Sequence, residues 1–222
     1  MKKRILASLA LLAVSTSNAS ANYYQSERSY EVTVTNMTKG QTFTPVLSAT
    51  HKRAISFFEL GQAASAPLAE LAESGNPTPL KDVLDGAPSL VSASNATEGL
   101  LAPGESVTFD ISSSRRFNRF SLAAMLIPTN DTFVSVNSVR LPAWGSRTYM
   151  ASAYDAGSEA NDELCANIPG PACGGAGASP SASDGDEGFV HIASGIHGEG
   201  DLLPSVYDWR DAVAKIEIRR VR

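Results

Sequence analysis

The stretch SYEVTVTNMT, residues 29–38, sets Tyr30, Val32 and Val34 against Glu31, Thr33 and Thr35. Apolar and polar side chains that alternate at every second residue mark a strand with one face in a core and one in water. The far end of the chain repeats the pattern. In DAVAKIEIRRVR (211–222), Ala214, Ile216 and Ile218 share one face, and Lys215, Glu217 and Arg219 the other. TFTPVLSATH (42–51) is also β-rich, with Pro45 marking an edge or a bulge. LLAPGESVTFDIS (100–112) reads as strand, Pro-Gly turn and strand. RFNRFSLAAMLIP (116–128) ends in the apolar run Leu122 to Ile127, which suits a strand buried on both faces, and DTFVSVNSVRLP (131–142) follows at once.

Residues 62–86 break the β pattern. SAPLAELAESG (65–75) offers Ser65 as an N-cap, Pro67 in the first turn, Leu68 and Leu71 three apart, and Gly75 as a stop. TPLKDVLDG (78–86) repeats that form, so two short helices are expected here. Gly170 to Gly188, GPACGGAGASPSASDGDEG, is a long exposed loop whose small and turn-forming residues cannot build a core. Short strands spaced by turns, with helices confined to one insertion, predict a mainly β fold, an antiparallel β-sandwich. A parallel α/β sheet would need helices between strands throughout.

The first residues form an export leader. MKKR is basic, ILASLALLAV is apolar but shorter than the roughly 20 residues that cross a bilayer, and Ala19-Ser20-Ala21 is a small-x-small cleavage pattern. Residues 1–21 are therefore expected to be removed, leaving 22–222 as one domain with no transmembrane segment, periplasmic, secreted or at the cell surface. Loss of Lys2, Lys3 and Arg4 leaves 15 basic against 23 acidic residues, and the net charge moves from −5 to −8. That balance argues against nucleic acid or an anionic membrane as partner and suits a protein that meets divalent cations. Cys165 and Cys173 flank the loop ANIPGPA, and in an oxidising compartment they are expected to form a local disulfide.

AYDAGSEANDE (153–163) crowds Asp155, Glu159, Asp162 and Glu163 together, either around a cation or in open water. An EF-hand counted from Asp155 fails, because position three is Gly157 and position six is Ala160. Asp155 and Glu159 could still clamp one ion if DAGSE folds back, since Gly157 permits positive φ. Calcium takes about six to eight oxygens, so a second loop must contribute, and PTNDTF offers Asp131. His191 and His197, with Glu199 and Asp201 nearby, are the alternative chemistry. Their spacing fits no helix face, and no GxSxG elbow accompanies them. Trp144 and Trp209 read as core or rim anchors rather than sugar platforms, and NMT (36–38) and NAT (95–97) as chance glycosylation matches.

NDTFVSVNSVRLP, followed some two dozen residues on by YDAGSEANDE, resembles the spondin N-terminal domain family, of which F-spondin is an animal member. TFTPVLSATH, GFVHIASGIHGEGDL and YDWRDAVAKIEI are similar to its bacterial branch. The resemblance implies a sandwich with the topology of calcium-dependent lipid-binding domains and a bound calcium held by Asp131, Asp155 and Glu159. The animal pattern has Asp where this chain has Glu159. The resulting expectation is an exported, non-catalytic, calcium-binding module for binding or adhesion, its partner an extracellular or envelope protein or glycan. The alternatives are an extracellular metal-dependent hydrolase using the His191/His197 loop, and a purely structural envelope protein.

Overall fold

A computed structural model describes residues 27–174 and 185–221. The leader expected over 1–21 and the middle of the Gly/Ser-rich loop lie outside the described residues. The strands are β1 (Glu27–Asn36), β2 (Thr42–Phe43), β3 (Leu47–His51), β4 (Val91–Ala96), β5 (Ser106–Ser114), β6 (Arg119–Ile127), β7 (Thr132–Arg140), β8 (Ser146–Asp155), β9 (His191–Ile192) and β10 (Ala214–Arg220). Helices α1 (Ala66–Ser74) and α2 (Thr78–Asp85) form the insertion, and the single turn α3 (Pro204–Tyr207) precedes β10.

All ten strands belong to one antiparallel sheet in the order β4-β3-β6-β7-β8-β10-β1-β5, with β2 on β6 and β9 on β8. The sheet curls until its ends meet, because Thr50 Oγ1 on β3 donates to the Ser112 carbonyl on β5 at 2.7 Å. The fold is thus mainly β and sandwich-like, as expected, but built from one nearly closed sheet. Val32 and Val34 of β1 pair with Ile218 and Ile216 of β10, so the two alternating stretches at the chain ends are neighbours on one inner face.

β6 is buried on both faces, and the helices are the reason. Leu122, Ala124 and Leu126 point into the main core with Tyr30, Phe120 and Val134. Ala123 points the other way, into a second cluster with Leu68 and Leu71 of α1 and Leu80 and Leu84 of α2. Pro45 separates β2 from β3, since it cannot donate to a ladder. Gly75 ends α1 at φ 72°, and a Cβ there would stand 2.4 Å from Thr44 Cγ2, so the stop is also a packing point.

Strands β4 and β8 are the elements the sequence pattern concealed, and β8 shows why. Its inward residues Ala151 and Ala153 are small, while Met150 is 53% exposed, so apolar character does not mark the buried face. Asn36 of the NMT motif is fully buried and donates Nδ2 to the Gln41 and Leu101 carbonyls, which removes it from any glycosylating enzyme in the folded protein. The Cys165–Cys173 disulfide is present and packs beside Ile168, Ile196 and Leu202.

Leu122→Ala empties a position sealed on every side and is expected to cost about 3–4 kcal/mol in chemical denaturation. Val107→Ala, on the partly exposed edge of the same core, should cost clearly less.

Candidate metal centre

The turn from β6 to β7 builds the site. Thr129 Oγ1 donates to the Leu126 carbonyl at 2.5 Å and accepts from the Thr132 N–H at 3.2 Å, which closes the turn and drives Asp131 inward to 0% exposure. Thr132 pairs with Asp155, so β8 ends alongside, and the Ala156 N–H extends the ladder to the Asp131 carbonyl at 3.2 Å. The chain then folds back as DAGSE. Asp131 Oδ2 accepts from the Ser158 N–H at 2.7 Å, the Glu159 N–H at 3.0 Å and the Ser158 hydroxyl at 3.2 Å. Asp131 Oδ1 is equally buried and accepts no hydrogen bond among the described residues.

Gly157 makes the reversal possible. It sits at φ 62°, and a Cβ would come 2.3 Å from the Phe189 carbonyl oxygen, a backbone atom with no room to retreat. The close approach draws in the 188–192 segment, where the Gly188 N–H donates to the Gly157 carbonyl at 2.9 Å and β9 pairs His191 with Asp155. His191 Nε2 stands 3.5 Å from Asp155 Oδ1 and 3.9 Å from Glu187 Oε2. Its Nδ1 is 3.0 Å from the Ile192 carbonyl, which orients the ring. Asn161 Nδ2 bridges Asp155 Oδ2 at 2.8 Å and Glu187 Oε1 at 3.2 Å.

These placements strain the charges. Burial, with Asp155 beside it, pushes the Asp131 carboxyl up from 3.8 to about 7. Burial also raises Asp155, against the Asn161 and Gly157 hydrogen bonds that favour its ionised form. Burial pulls the His191 imidazole down, but the Ile192 carbonyl, Asp155, Glu187 and Asp131 together hold it above its ordinary value. Two buried carboxylates side by side cannot both ionise comfortably unless a cation lies between them.

Of the expected ligands, Asp131 and Asp155 are brought together, and Glu159 joins them through its main chain, with its side chain buried at 3% exposure. Among the described residues, the group whose ligand atoms all lie within 4.8 Å of one another is Asp155, Glu187 and His191. Glu187 carries no motif of its own, and His191 reaches it and Asp155. His197 is exposed and absent from the group, and its N–H, with those of Gly198 and Glu199, donates to the buried Glu163 carboxylate. The GIHGEG loop is thus a cradle around Glu163. His51 is a core histidine, fully buried, with Nε2 2.8 Å from Ser121 Oγ.

A model of the spondin N-terminal domain, Spondin_N, matches residues 25–163. This chain belongs to the spondin N-terminal domain family. A search of curated proteins matched none. The Spondin_N match takes in β1 through β8 with Asp131, Asp155 and Glu159, and ends before Glu187 and His191. Spondin N-terminal membership supports an extracellular binding module, and the disulfide fits a secreted protein. Among the described residues, no helix is long and apolar enough to cross a membrane.

In chelator, the Asp131 shift gives stability a definite sign. The folded state holds a proton that the unfolded chain releases above 3.8, so stability is fully present below that value and falls as pH rises through about 7. Urea midpoints measured between pH 5 and 8 should decline accordingly, and Asp131→Asn should flatten the decline. Gly157→Ala is expected to cost about 2 kcal/mol or more, because it joins positive-φ strain to a backbone clash.

Proposed function

We propose that the protein is an exported, non-catalytic binding module in which calcium is held by Asp131, Asp155 and Glu159. The observation that carries this reading is the fully buried Asp131, whose Oδ1 accepts no hydrogen bond among the described residues while Asp155 lies beside it. Carboxylates are the hard oxygen donors calcium prefers, and the raised carboxyls are what such a pair does when only protons can relieve the repulsion. Calcium would supply positive charge that lets both carboxylates ionise. Asp131 already ties the 158–159 turn to β7 through its Oδ2. Added charge neutralisation would stiffen that junction into a surface for an extracellular or envelope protein or glycan.

A second reading has its own support. His191 Nε2 faces Asp155 and Glu187 with no hydrogen bond among the described residues, and an imidazole beside two carboxylates suits zinc-like dications better than calcium. A hydrolase that pairs His191 with His197 is weaker, because His197 stands outside that group.

Thermal unfolding of the purified protein in calcium, in zinc and in chelator separates the readings. A ligand at a hundredfold excess over Kd that binds only the folded state stabilises by about 2.7 kcal/mol, or a rise of about 5–10 °C for a domain of this size. Calcium is expected to give that rise in the wild type and in His191→Ala. Asp131→Asn should be more stable than wild type in chelator and indifferent to calcium. No calcium response sinks the first reading, and a zinc response lost in His191→Ala installs the second.

A further inference from the structure

The opposite end of the sheet carries the reverse charge. β6 and β7 run between the two ends, so Arg119 and Arg140 sit where Ile127 and Asp131 do not, about 30 Å away along nine residues of strand. Arg28, Arg115, Arg140 and Arg147 there line one shallow pocket of about 270 Å³, completed by Asn118, Leu141 and Ala143. No carboxylate is in its wall, and among the described residues none of the four guanidiniums forms an ion pair.

Two details show that the cluster is unbalanced as it stands. Arg119 lies directly opposite Arg140 in the β6–β7 register, and like charges facing each other across strands destabilise a sheet. Among the described residues the Arg28 Nε, in the pocket wall, is buried with no hydrogen-bond partner; the Arg119 Nε is too, although Arg119 stands outside that wall and its Nη1 donates to the Ser138 carbonyl at 3.1 Å. The acidic end lies about three Debye lengths away at 0.1 M salt and offers no relief. A bound anion would.

The rim adds a second recognition element. Trp144 follows the pocket residue Ala143 and is 84% exposed, so it is no core anchor. Its turn is pinned rather than loose: the Arg220 guanidinium donates to the Ala143 carbonyl, and the Arg220 N–H donates to the Gly145 carbonyl at 2.8 Å. A large apolar ring held in water beside several arginines is the residue mixture that dominates binding hot spots.

We propose that this pole binds a saccharide bearing sulfate or phosphate esters, with the ester oxyanion among Arg28, Arg115, Arg140 and Arg147 and the sugar ring against Trp144. Guanidinium forks match the tetrahedral oxyanion with paired, charge-assisted hydrogen bonds. The pocket is below the about 300–1,000 Å³ of sites that enclose a drug-sized ligand, so it takes one ester group of a chain that continues outside. This site is independent of the cation centre at the other end.

The test is calorimetry of the whole protein with dextran sulfate, neutral dextran and inorganic sulfate or phosphate, in chelator and about 0.15 M salt so that the cation centre does not contribute. Dextran sulfate is expected to bind and neutral dextran not to. Arg115→Ala and Arg147→Ala, both at exposed positions, should each weaken dextran sulfate about tenfold. Trp144→Ala should weaken dextran sulfate but leave inorganic sulfate unchanged. Lys215→Ala, the same charge lost from an exposed position elsewhere on the sheet, should change neither. Inorganic sulfate or phosphate binding as tightly as dextran sulfate would reduce the pole to a bare oxyanion site and overturn the saccharide. Equal losses in Lys215→Ala and the arginine variants, or binding only to anionic lipid vesicles, would overturn the proposal entirely.

Discussion

The buried carboxylate of Asp131 constrains everything around it. One oxygen gathers the Ser158 and Glu159 N–H groups and the Ser158 hydroxyl, so the turn leaving β8 can close only where Asp131 already stands. That closure depends on β6 being sealed on both faces, because a carboxylate at 0% exposure needs a turn with no freedom to swing outward. α1 and α2 therefore matter to the site: they cover the second face of the strand that leads into it, in one cluster with Ala156 and Val190. The other oxygen, lacking a hydrogen bond among the described residues, leaves a buried charge or proton that the surrounding fold must tolerate.

From that point the constraint propagates by register. Thr132 opposite Asp155 and Asp155 opposite His191 are consecutive steps across three neighbouring strands, and each brings one more titratable group to the same end. Gly157 permits the step to β9, since any side chain there would strike the backbone at Phe189. The same antiparallel arithmetic works at the other end, where the β5–β6 and β7–β8 turns and the ends of β1 and β10 collect arginines. A net charge of −5 hides this, because it averages an acidic end and a basic end that are separated by the length of a strand.

Several residues that look chemical are structural. Glu163 is buried and organises the loop at His197, Gly198 and Glu199 by accepting their N–H groups. Asp162 accepts from Asn130 at 2.9 Å and from Asn167, joining the β6–β7 turn to the disulfide loop. Asn161, by contrast, holds Asp155 and Glu187 together and so belongs with the candidate metal centre. Within one acidic run, adjacent side chains thus serve the centre, a neighbouring turn and a distant loop.

The alternation at residues 29–38 and 211–222, the doubly apolar Leu122–Ile127, the two short helices and the disulfide were legible because each depends on periodicity or spacing within one segment, although Ser65 makes no side-chain capping bond. Strand β8 was not, since Ala151 and Ala153 bury too little apolar surface to contrast with their neighbours. Asp131, Asp155 and Glu159 could be read as candidates from acidic residues beside turn signals, and the family pattern carries the same three. Glu187 and His191 could not, because only strand pairing brings them to Asp155. The arginine pole and the exposure of Trp144 were equally hidden, since they join residues from β1, β7, β8 and the β5–β6 and β7–β8 turns. The sequence by itself determined most of the strands and both inserted helices, through local patterns of side-chain polarity. Only the tertiary structure decided which charges share an end of the sheet, because that depends on strand order and register, which are long-range and leave no local mark.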